Sequence, residues 1–415
     1  MSSSPVWHPF TQHGLGEPIP LVERAEGAVL HCADGRAVID AISSWWVTTH
    51  GHCYPPIMAA IAEQAQKLDQ LIFAGWTHQP AEDLARGLMA IMPEALTRVF
   101  FSDSGSTSVE VALKMALGYW AARGEQRHRI VVMEHSYHGD TIGAMSVGAR
   151  GVFNRTYEPL LFDVETVPFP AAGAEQATLD ALEAACKAGA AAFIVEPLVL
   201  GAGGMLMYGA ETLSQMRAIC AAHGTLLIAD EVMTGWGRTG TLLACEQAQV
   251  VPDILCLSKG LTGGSLPLAV TMASEPVFAA HWSDDRAKMF FHSSSYTANP
   301  IACAAAFANL KVWQDEPVRE RIAALADMQA DLLERLAALP GVADARQAGT
   351  IIAVDFEDSR EGYLSDLAPR LRQSALDAGV LLRPLGNTVY VMPPYCIDRG
   401  QLAQVGDAIE GAVQN

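Results

Sequence analysis

Short apolar runs alternate with amphipathic stretches through most of the chain. Short apolar runs that end in turn residues are typical of strands buried in a parallel sheet. These runs cover residues 98–102, 129–134, 192–196, 226–229, 254–257 and 267–273. Helical spacing of apolar residues predicts helices over 55–71, 81–92, 109–123, 171–192, 213–223 and from 301 onward. The alternation predicts an α/β fold with a mostly parallel sheet between helices.

The two ends of the chain have a different pattern. An Asp34-Gly35 turn predicts a hairpin over residues 29–40. From about residue 316 we predict helices over 319–339, 367–378 and after Asp398, with strands over 350–356, 379–384 and 389–392. We therefore expect a large domain over 51–315 and a small α+β domain over 316–415. Residues 1–50 are expected to form an N-terminal arm and part of the small domain.

Composition excludes several classes of partner. The formal charge of -19 argues against nucleic acid. There is no apolar run near the length of a membrane span, and the first residues lack the basic and apolar regions of a signal peptide. The eight cysteines show no spacing typical of a zinc or redox motif, so we predict no metal site and a cytoplasmic location.

Two charged residues follow neighbouring strand predictions. Asp230 ends the apolar run at 226–229, and Lys259 follows the run at 254–257. Ligands of parallel sheets bind at the carboxyl ends of the strands, where both side chains would lie. A buried amine and a buried acid are what pyridoxal 5'-phosphate (PLP) requires, one for its aldehyde and one for its ring nitrogen. A structural ion pair, or a solvated lysine, is the alternative. Of the six lysines, only Lys259 follows a strand-like run.

Two turns could complete such a site. Gly105 and Ser106 lie between the strand at 98–102 and the helix at 109–123, so backbone amides at the start of the helix could bind a phosphate. An ordinary helix cap is the alternative interpretation. Tyr137 follows the strand at 129–134 and could stack on a planar cofactor or simply belong to the core.

Residues 227–264, which contain DEVMTGWGRTG and SKGLTGG, resemble the signature region of the class III aminotransferases of fold-type I. The resemblance implies PLP as cofactor and a homodimer with active sites at its interface. It also implies catalytic roles for Lys259, Asp230 and Tyr137, with Tyr137 and Val232 on opposite faces of the ring. Ser295 would donate its hydroxyl to the phosphate in the partner subunit. The positions that match cofactor-binding residues of the family are Gly105, Ser106, Tyr137, Asp230, Val232, Lys259, Ser294 and Ser295.

Other motifs resemble one branch of that family, the aminotransferases that convert 8-amino-7-oxononanoate into 7,8-diaminononanoate in biotin biosynthesis. The motifs are Trp7-His8-Pro9, Ser43-Ser44-Trp45-Trp46, Asp103-Ser104-Gly105-Ser106, and Arg383-Pro384 with Met392-Pro393-Pro394-Tyr395. An aromatic wall suits the long apolar chain of that keto acid, and a guanidinium suits its carboxylate. The positions assigned to the substrates are Phe10, Trp45, Tyr137, Lys259, Ser293 and Arg383.

Two positions bear on the identity of the amino donor. Branch members that use S-adenosylmethionine commonly have Tyr where this chain has Phe10, and HGPT where it has His292 to Ser295. We expect S-adenosylmethionine, with lysine as the alternative donor. Another class III ω-aminotransferase, an aminomutase and a phosphate-binding regulatory module are the further alternatives. Arg238 could be a second arginine of the site or could pair with an acid in a structural role.

Overall fold

The computed structural model describes residues 4–357 and 367–414. In chain order, its strands are β1 (Val22–Glu26), β2 (Val29–Cys32), β3 (Ala37–Asp40), β4 (Leu96–Ser102), β5 (Ile130–Met133), β6 (Glu165–Val167), β7 (Ala192–Val195), β8 (Val199–Leu200), β9 (Leu206–Met207), β10 (Leu226–Asp230), β11 (Ile254–Leu257), β12 (Ala269–Ser274), β13 (Val342–Ala348), β14 (Ile351–Phe356), β15 (Val380–Leu381) and β16 (Thr388–Val391).

The α-helices surround these strands. They are α1 (Ser43–Trp46), α2 (Pro55–Ala65), α3 (Gln79–Ile91), α4 (Gly105–Ala122), α5 (Ile142–Ser146), α6 (Glu175–Lys187), α7 (Ala210–His223), α8 (Glu275–Ala280), α9 (Pro300–Asp315), α10 (Val318–Ala337), α11 (Leu367–Asp377) and α12 (Arg399–Gln414). Among the described residues, no helix has both the length and the apolar character needed to cross a membrane.

A seven-stranded sheet forms the centre, in the order β4-β12-β11-β10-β7-β5-β6. β12 runs opposite to the other six strands of this sheet, so the prediction of an α/β fold with a mostly parallel sheet is confirmed. Successive residues of a strand point to opposite faces. Ile130 and Val132 therefore join one buried cluster with α4, whereas Val131 and Met133 join the cluster on the other face.

Two smaller sheets combine the ends of the chain. The order β1-β2-β3-β15 places the N-terminal strands beside one from the C-terminal part, and β13-β14-β16 forms a three-stranded sheet. This is the α+β arrangement that the end segments predicted. The proposed domain boundaries near residues 50 and 315 stay predictions.

Several predicted elements differ in extent. The helix predicted over 171–192 is shorter because Gly173 and Gly189 have left-handed backbone angles, with φ of 82° and 87°. The strand predicted over 379–384 is wrong beyond Leu381, because β15 pairs with β3 at only two positions, and Arg383 lies outside it. Strands β1 and β13 were not predicted; their exposed or half-buried residues give little apolar signal.

The topology brings the predicted chemistry to one edge. Strands β11, β10, β7 and β5 are consecutive neighbours and all run parallel. Their carboxyl ends lead into Lys259, Asp230, Glu196 and the turn that holds Tyr137. Four chemically active segments that are distant in sequence therefore lie side by side.

Gly349 marks a close contact between the C-terminal part and the large sheet domain. A Cβ atom at this position would lie 2.3 Å from both the nitrogen of Gly240 and the carbonyl carbon of Thr239. Its φ of 55° is also left-handed. Gly341 shares the left-handed angle, with φ of 79°, but a Cβ there would meet nothing within 4 Å.

Alanine substitutions at Gly341 and Gly349 distinguish the cost of backbone strain from the cost of steric crowding. Gly341→Ala is expected to lower the free energy of unfolding by about 1 kcal/mol through strain alone. Gly349→Ala should lose about 1–3 kcal/mol more, because neighbouring backbone must move. Urea unfolding of both variants would measure the difference, and equal losses would contradict the close packing described for Gly349.

Candidate active site

A cavity of about 140 Å³ lies at the carboxyl edge of the sheet. Six residues predicted for cofactor binding line it together: Gly105, Ser106, Tyr137, Asp230, Val232 and Lys259. Trp46, His138, Gly139, Glu196 and Met233 complete the wall. The structure thus brings these predicted residues together, while their roles in binding stay predictions.

Asp230 is buried at the end of β10 and is fixed by two hydrogen bonds. His138 Nδ1 donates to Oδ2 at 2.7 Å, and the amide of Val232 donates to Oδ1 at 3.1 Å. The other ring nitrogen of His138, Nε2, is buried and has no partner among the described residues. A donor on Nδ1 defines the tautomer of a neutral imidazole. His138 therefore orients the acid, and sequence reasoning missed it although it follows Tyr137 directly.

Glu196 is the second buried acid of the wall. Its two oxygens accept hydrogen bonds from the amides of Tyr137, at 2.9 Å, and Gly201, at 3.0 Å. Burial, which disfavours the charged form, raises its pKa to about 7. Glu196 follows β7 directly, so the strand-end rule that found Asp230 could also have found it.

Lys259 carries the reactive amine. Its backbone is left-handed, with φ of 44°, in the short 3₁₀ turn Lys259–Thr262. Nζ lies 4.5 Å from the centroid of the Trp46 indole ring and has no hydrogen-bond partner among the described residues. Burial lowers the pKa of the amine to about 8, although the charges of Asp230 and Glu196 act in the opposite direction. A sizeable fraction is therefore neutral near physiological pH.

The helix α4 offers free donors at its first turn. Ser104 caps the helix by accepting a hydrogen bond from Thr107 at 3.2 Å. The amides of Gly105 and Ser106 have no acceptor among the described residues, and such amides bind anions. A Cβ on Gly105 would lie 2.6 Å from Cγ1 of Val232, so glycine lets the helix end reach the wall of the cavity.

A second, larger cavity of about 350 Å³ adjoins the first. Phe10, Trp45, Tyr137, Lys259 and Arg383, all predicted for substrate binding, line it together with Trp46, Asp140, Phe153, Leu385 and Tyr390. The N-terminal arm contributes Phe10, whose ring packs edge-on against Trp45 at 5.4 Å and Phe153 at 6.1 Å. Phe153 lies in a stretch without a clear pattern of apolar and polar residues, so it could not be predicted from the sequence.

Arg383 lies at the side of this cavity. Its guanidinium carbon is 5.1 Å from the centroid of the Trp45 ring, and Nη2 donates a hydrogen bond to the carbonyl of Phe10 at 3.2 Å. Within the described residues the guanidinium forms no ion pair with a carboxylate. Its charge can therefore receive the carboxylate of a ligand.

The Ser43-Ser44-Trp45-Trp46 motif adopts a strained turn. Ser43, Ser44 and Trp46 all have left-handed φ values, of 53°, 60° and 66°. Buried Asp40 holds the turn by accepting hydrogen bonds from the amides of Ile42, at 3.2 Å, and Ser44, at 2.6 Å. Such strain persists only where surrounding contacts determine the backbone, and here it places two tryptophans in the cavity wall.

Arg238 has neither an acid partner nor a place in the cavities. The guanidinium is buried and donates to the carbonyls of Pro393 at 3.0 Å, Thr48 at 2.9 Å and Trp46 at 3.4 Å. The suggested pairing with an acid is wrong, because no carboxylate among the described residues forms an ion pair with it. Carbonyl groups from both ends of the chain accept hydrogen bonds from Nη1 and Nη2 instead, while Nε is buried without a partner among the described residues.

The serine loop lies outside both cavities of its own chain. Ser294 donates to Asp103 Oδ2 at 2.5 Å, and the carbonyl of Ser295 accepts a hydrogen bond from Gln70 at 2.6 Å. The side chains of Ser293 and Ser295 are exposed. Ser293, Ser294 and Ser295 therefore line neither cavity of their own chain, and their predicted roles in binding stay predictions.

Comparison with known proteins decides the family. The profile of the family described as aminotransferase class-III matches residues 11–413. The chain belongs to the class III aminotransferases. It is a PLP-dependent aminotransferase, as the resemblance of its motifs implied.

The similar proteins include one enzyme repeatedly. The adenosylmethionine-8-amino-7-oxononanoate aminotransferase of Synechococcus elongatus is 49% identical over 99% of this chain and 98% of its own length. The enzyme of that name from Methanocaldococcus jannaschii has a crystal structure that superposes with a TM-score of 0.95, at 32% identity, covering 99% of this chain and 97% of that one. A PLP-bound amine transaminase from an uncultivated Pseudomonas species superposes with a TM-score of 0.92 at 32% identity, covering 100% and 99%.

The residues of the smaller cavity fit PLP. Three groups match its aldehyde, its ring nitrogen and its phosphate: an amine, a buried acid oriented by a histidine, and amides at a helix N-terminus. The amine and the amides have no hydrogen-bond partner within residues 4–357 and 367–414. Lys259, Asp230 and the Gly105–Ser106 segment supply these groups. This match is judged from the residues of this chain alone, and it agrees with PLP as the cofactor of the class III aminotransferases.

Glu196→Gln tests the buried carboxyl. Its pKa in the folded protein, about 7, exceeds the ordinary value of 4.5, so the folded state binds the proton more tightly than the unfolded state does. The contribution of this carboxyl to the free energy of unfolding therefore falls as pH rises between these two pKa values. Glutamine does not titrate. Relative to the unchanged protein, the variant should gain about 3 kcal/mol in the free energy of unfolding as pH rises across that interval.

Urea unfolding of cofactor-free protein at a series of pH values would measure this gain. Glu246→Gln, at the surface, is the charge-matched control and should show no comparable gain. A stability difference for Glu196→Gln that does not change with pH would contradict the raised pKa.

Proposed function

We propose that this aminotransferase converts 8-amino-7-oxononanoate into 7,8-diaminononanoate in biotin biosynthesis, with S-adenosylmethionine as amino donor. The larger cavity carries the proposal: an aromatic wall meets, beside Lys259, a guanidinium that forms no ion pair with any carboxylate in the described part of the chain. The keto acid offers a long apolar chain, a carboxylate at one end and a ketone at the other. Relatives of that enzyme name along nearly the full chain support the assignment.

Bound PLP supplies an aldehyde that bonds to amines and a ring that accepts electrons from the carbon that loses its proton. Lys259 would hold that aldehyde and, once free, would move a proton to or from the substrate. Its lowered pKa suits both tasks, because the neutral amine is accessible near pH 8. Asp230, held by His138, would keep the ring nitrogen protonated. Tyr137 and Val232 line the same cavity and would contact the ring.

Arg383 binds the carboxylate of the keto acid in this proposal, while Trp45 and Phe10 cover its apolar chain. The contact of Arg383 with the carbonyl of Phe10 is a single hydrogen bond at 3.2 Å. A carboxylate can replace it with two parallel, charge-assisted hydrogen bonds.

Arg383→Gln is expected to raise the KM for 8-amino-7-oxononanoate about thirtyfold or more while changing kcat little, because the carboxylate lies away from the reacting carbon. Steady-state kinetics would measure both constants. The methyl ester of the substrate is the control: it carries no charge at that end, so the variant and the unchanged enzyme should handle it alike. An equal KM effect on acid and ester would contradict the assignment.

The donor is tested by titrating the PLP-loaded enzyme separately with S-adenosylmethionine and lysine. Loss of the visible absorbance of the bound cofactor with S-adenosylmethionine, followed by formation of 7,8-diaminononanoate when the keto acid is added, is the expected result. Loss with lysine alone would reassign the donor and leave the keto acid in place. Phe10 makes lysine the second candidate, since the arm offers a ring without a hydroxyl group.

A homodimer belongs to the same proposal. Ser295 is exposed and lies outside the cavities of its own chain, as a residue that reaches the partner subunit would. Ser295→Ala should weaken PLP retention about tenfold through loss of a hydrogen bond to a charged phosphate, without changing the dimer seen in sedimentation. Unchanged retention would contradict this role.

We also propose a cytoplasmic location for the enzyme, since all eight cysteines are free thiols.

A further inference from the structure

The backbone behind Lys259 is confined on both sides. On one side, a Cβ on Gly260 would lie 2.8 Å from Cβ of Trp236 and 3.0 Å from Cγ2 of Thr49, so the turn has no room to move there. On the other side lies α9, which carries Asn309. The left-handed φ of Lys259 requires support of this kind, because a residue with a Cβ does not hold it without cost.

Asn309 supplies that support directly. It is fully buried, and Nδ2 donates to the carbonyls of Gly260 at 2.9 Å and Leu261 at 3.0 Å. These are the two carbonyl groups that follow Lys259 in the chain. Both hydrogens of the amide are therefore used on the turn that carries the reactive amine.

His50 fixes the orientation of this amide. Its Nε2 lies 2.8 Å from Oδ1 of Asn309, and Nδ1 is buried without a partner among the described residues. Burial lowers the pKa of His50 to about 4, so the ring is neutral at physiological pH. Since Oδ1 can only accept, the single ring proton lies on Nε2. Rotating the amide by half a turn would leave two carbonyls facing an oxygen and Nε2 facing a donor.

We propose that Asn309 is a positioning residue for Lys259, and that His50 holds Asn309 in the only orientation that allows it. The side chain touches neither cavity, so its effect passes through the backbone of the turn. The inference rests on the proposed role of Lys259, but not on the identity of either substrate.

Gln329 provides a matched control in the small domain. It is also a fully buried amide, and its Nε2 donates to the carbonyls of Thr350 at 2.7 Å and Val391 at 3.5 Å. Asn309→Leu and Gln329→Met each remove one buried amide with little change in shape. Both should destabilise the protein, since each leaves carbonyls without donors.

The test measures the reactivity of the Lys259 amine. The full-length chain, freed of PLP, is labelled with trace acetic anhydride from about pH 6 to about pH 10, and the acetylated peptides are quantified by mass spectrometry. Exposed Lys67 and Lys187 serve as internal references. In Asn309→Leu the labelling of Lys259 relative to these lysines should change about fivefold or more. In Gln329→Met it should stay within about twofold of the unchanged protein.

Equal labelling of Lys259 in the two variants would overturn the proposal, because a general loss of stability would then explain both. The His50 variants keep the proposal testable if Asn309→Leu does not fold. In His50→Gln the glutamine can still donate to Oδ1 of Asn309, so Lys259 should be acetylated to the same extent as in the unchanged protein. In His50→Leu this donor is lost, so the acetylation of Lys259 should change as it does in Asn309→Leu. Identical labelling in the two His50 variants would also overturn it. Neither result depends on which keto acid is aminated.

Discussion

The active site depends on one buried amine at the carboxyl edge of a parallel sheet, which has no hydrogen-bond partner in the part of the chain that the structure describes. Burial favours the neutral form of Lys259, and the nearby carboxylates of Asp230 and Glu196 favour the charged form. The balance leaves the pKa at about 8, where the amine can act both as nucleophile and as proton carrier. The parallel order of β11, β10, β7 and β5 makes this balance possible, since it aligns the amine and both acids at neighbouring strand ends.

Two buried side chains near Lys259, Arg238 and Asn309, donate hydrogen bonds to backbone carbonyls and not to carboxylates. Arg238 donates to the carbonyls of Trp46, Thr48 and Pro393, and Asn309 to those that follow Lys259. A guanidinium without an acid keeps its positive charge, which also acts to lower the pKa of Lys259. The contacts of Arg238 join segments near both ends of the chain to the segment that follows β10, next to the cavities.

The sequence predicted those parts of the site that follow short apolar strands. Asp230, Lys259 and Tyr137 lie at strand ends, and Gly105 begins a long helix, so strand and helix patterns sufficed to place them. The resemblance to a family added Val232, Trp45 and Arg383. The contacts of His138, Glu196, Asn309 and His50 could not be predicted, because each depends on a partner 48 to 259 residues away or on burial that the local pattern does not show. The misjudged partner of Arg238 has the same origin, since carbonyls have no sequence signature.

The most direct test of this account is to locate the bond between cofactor and protein. The PLP-loaded enzyme is reduced with borohydride, digested, and its lysine-containing peptides are examined by mass spectrometry. We predict that the pyridoxyl group lies on the peptide of Lys259 alone. A group on any of the other five lysines, or none on Lys259, would contradict the account, since the strand order, the acid pair and the helix end all converge on that one amine.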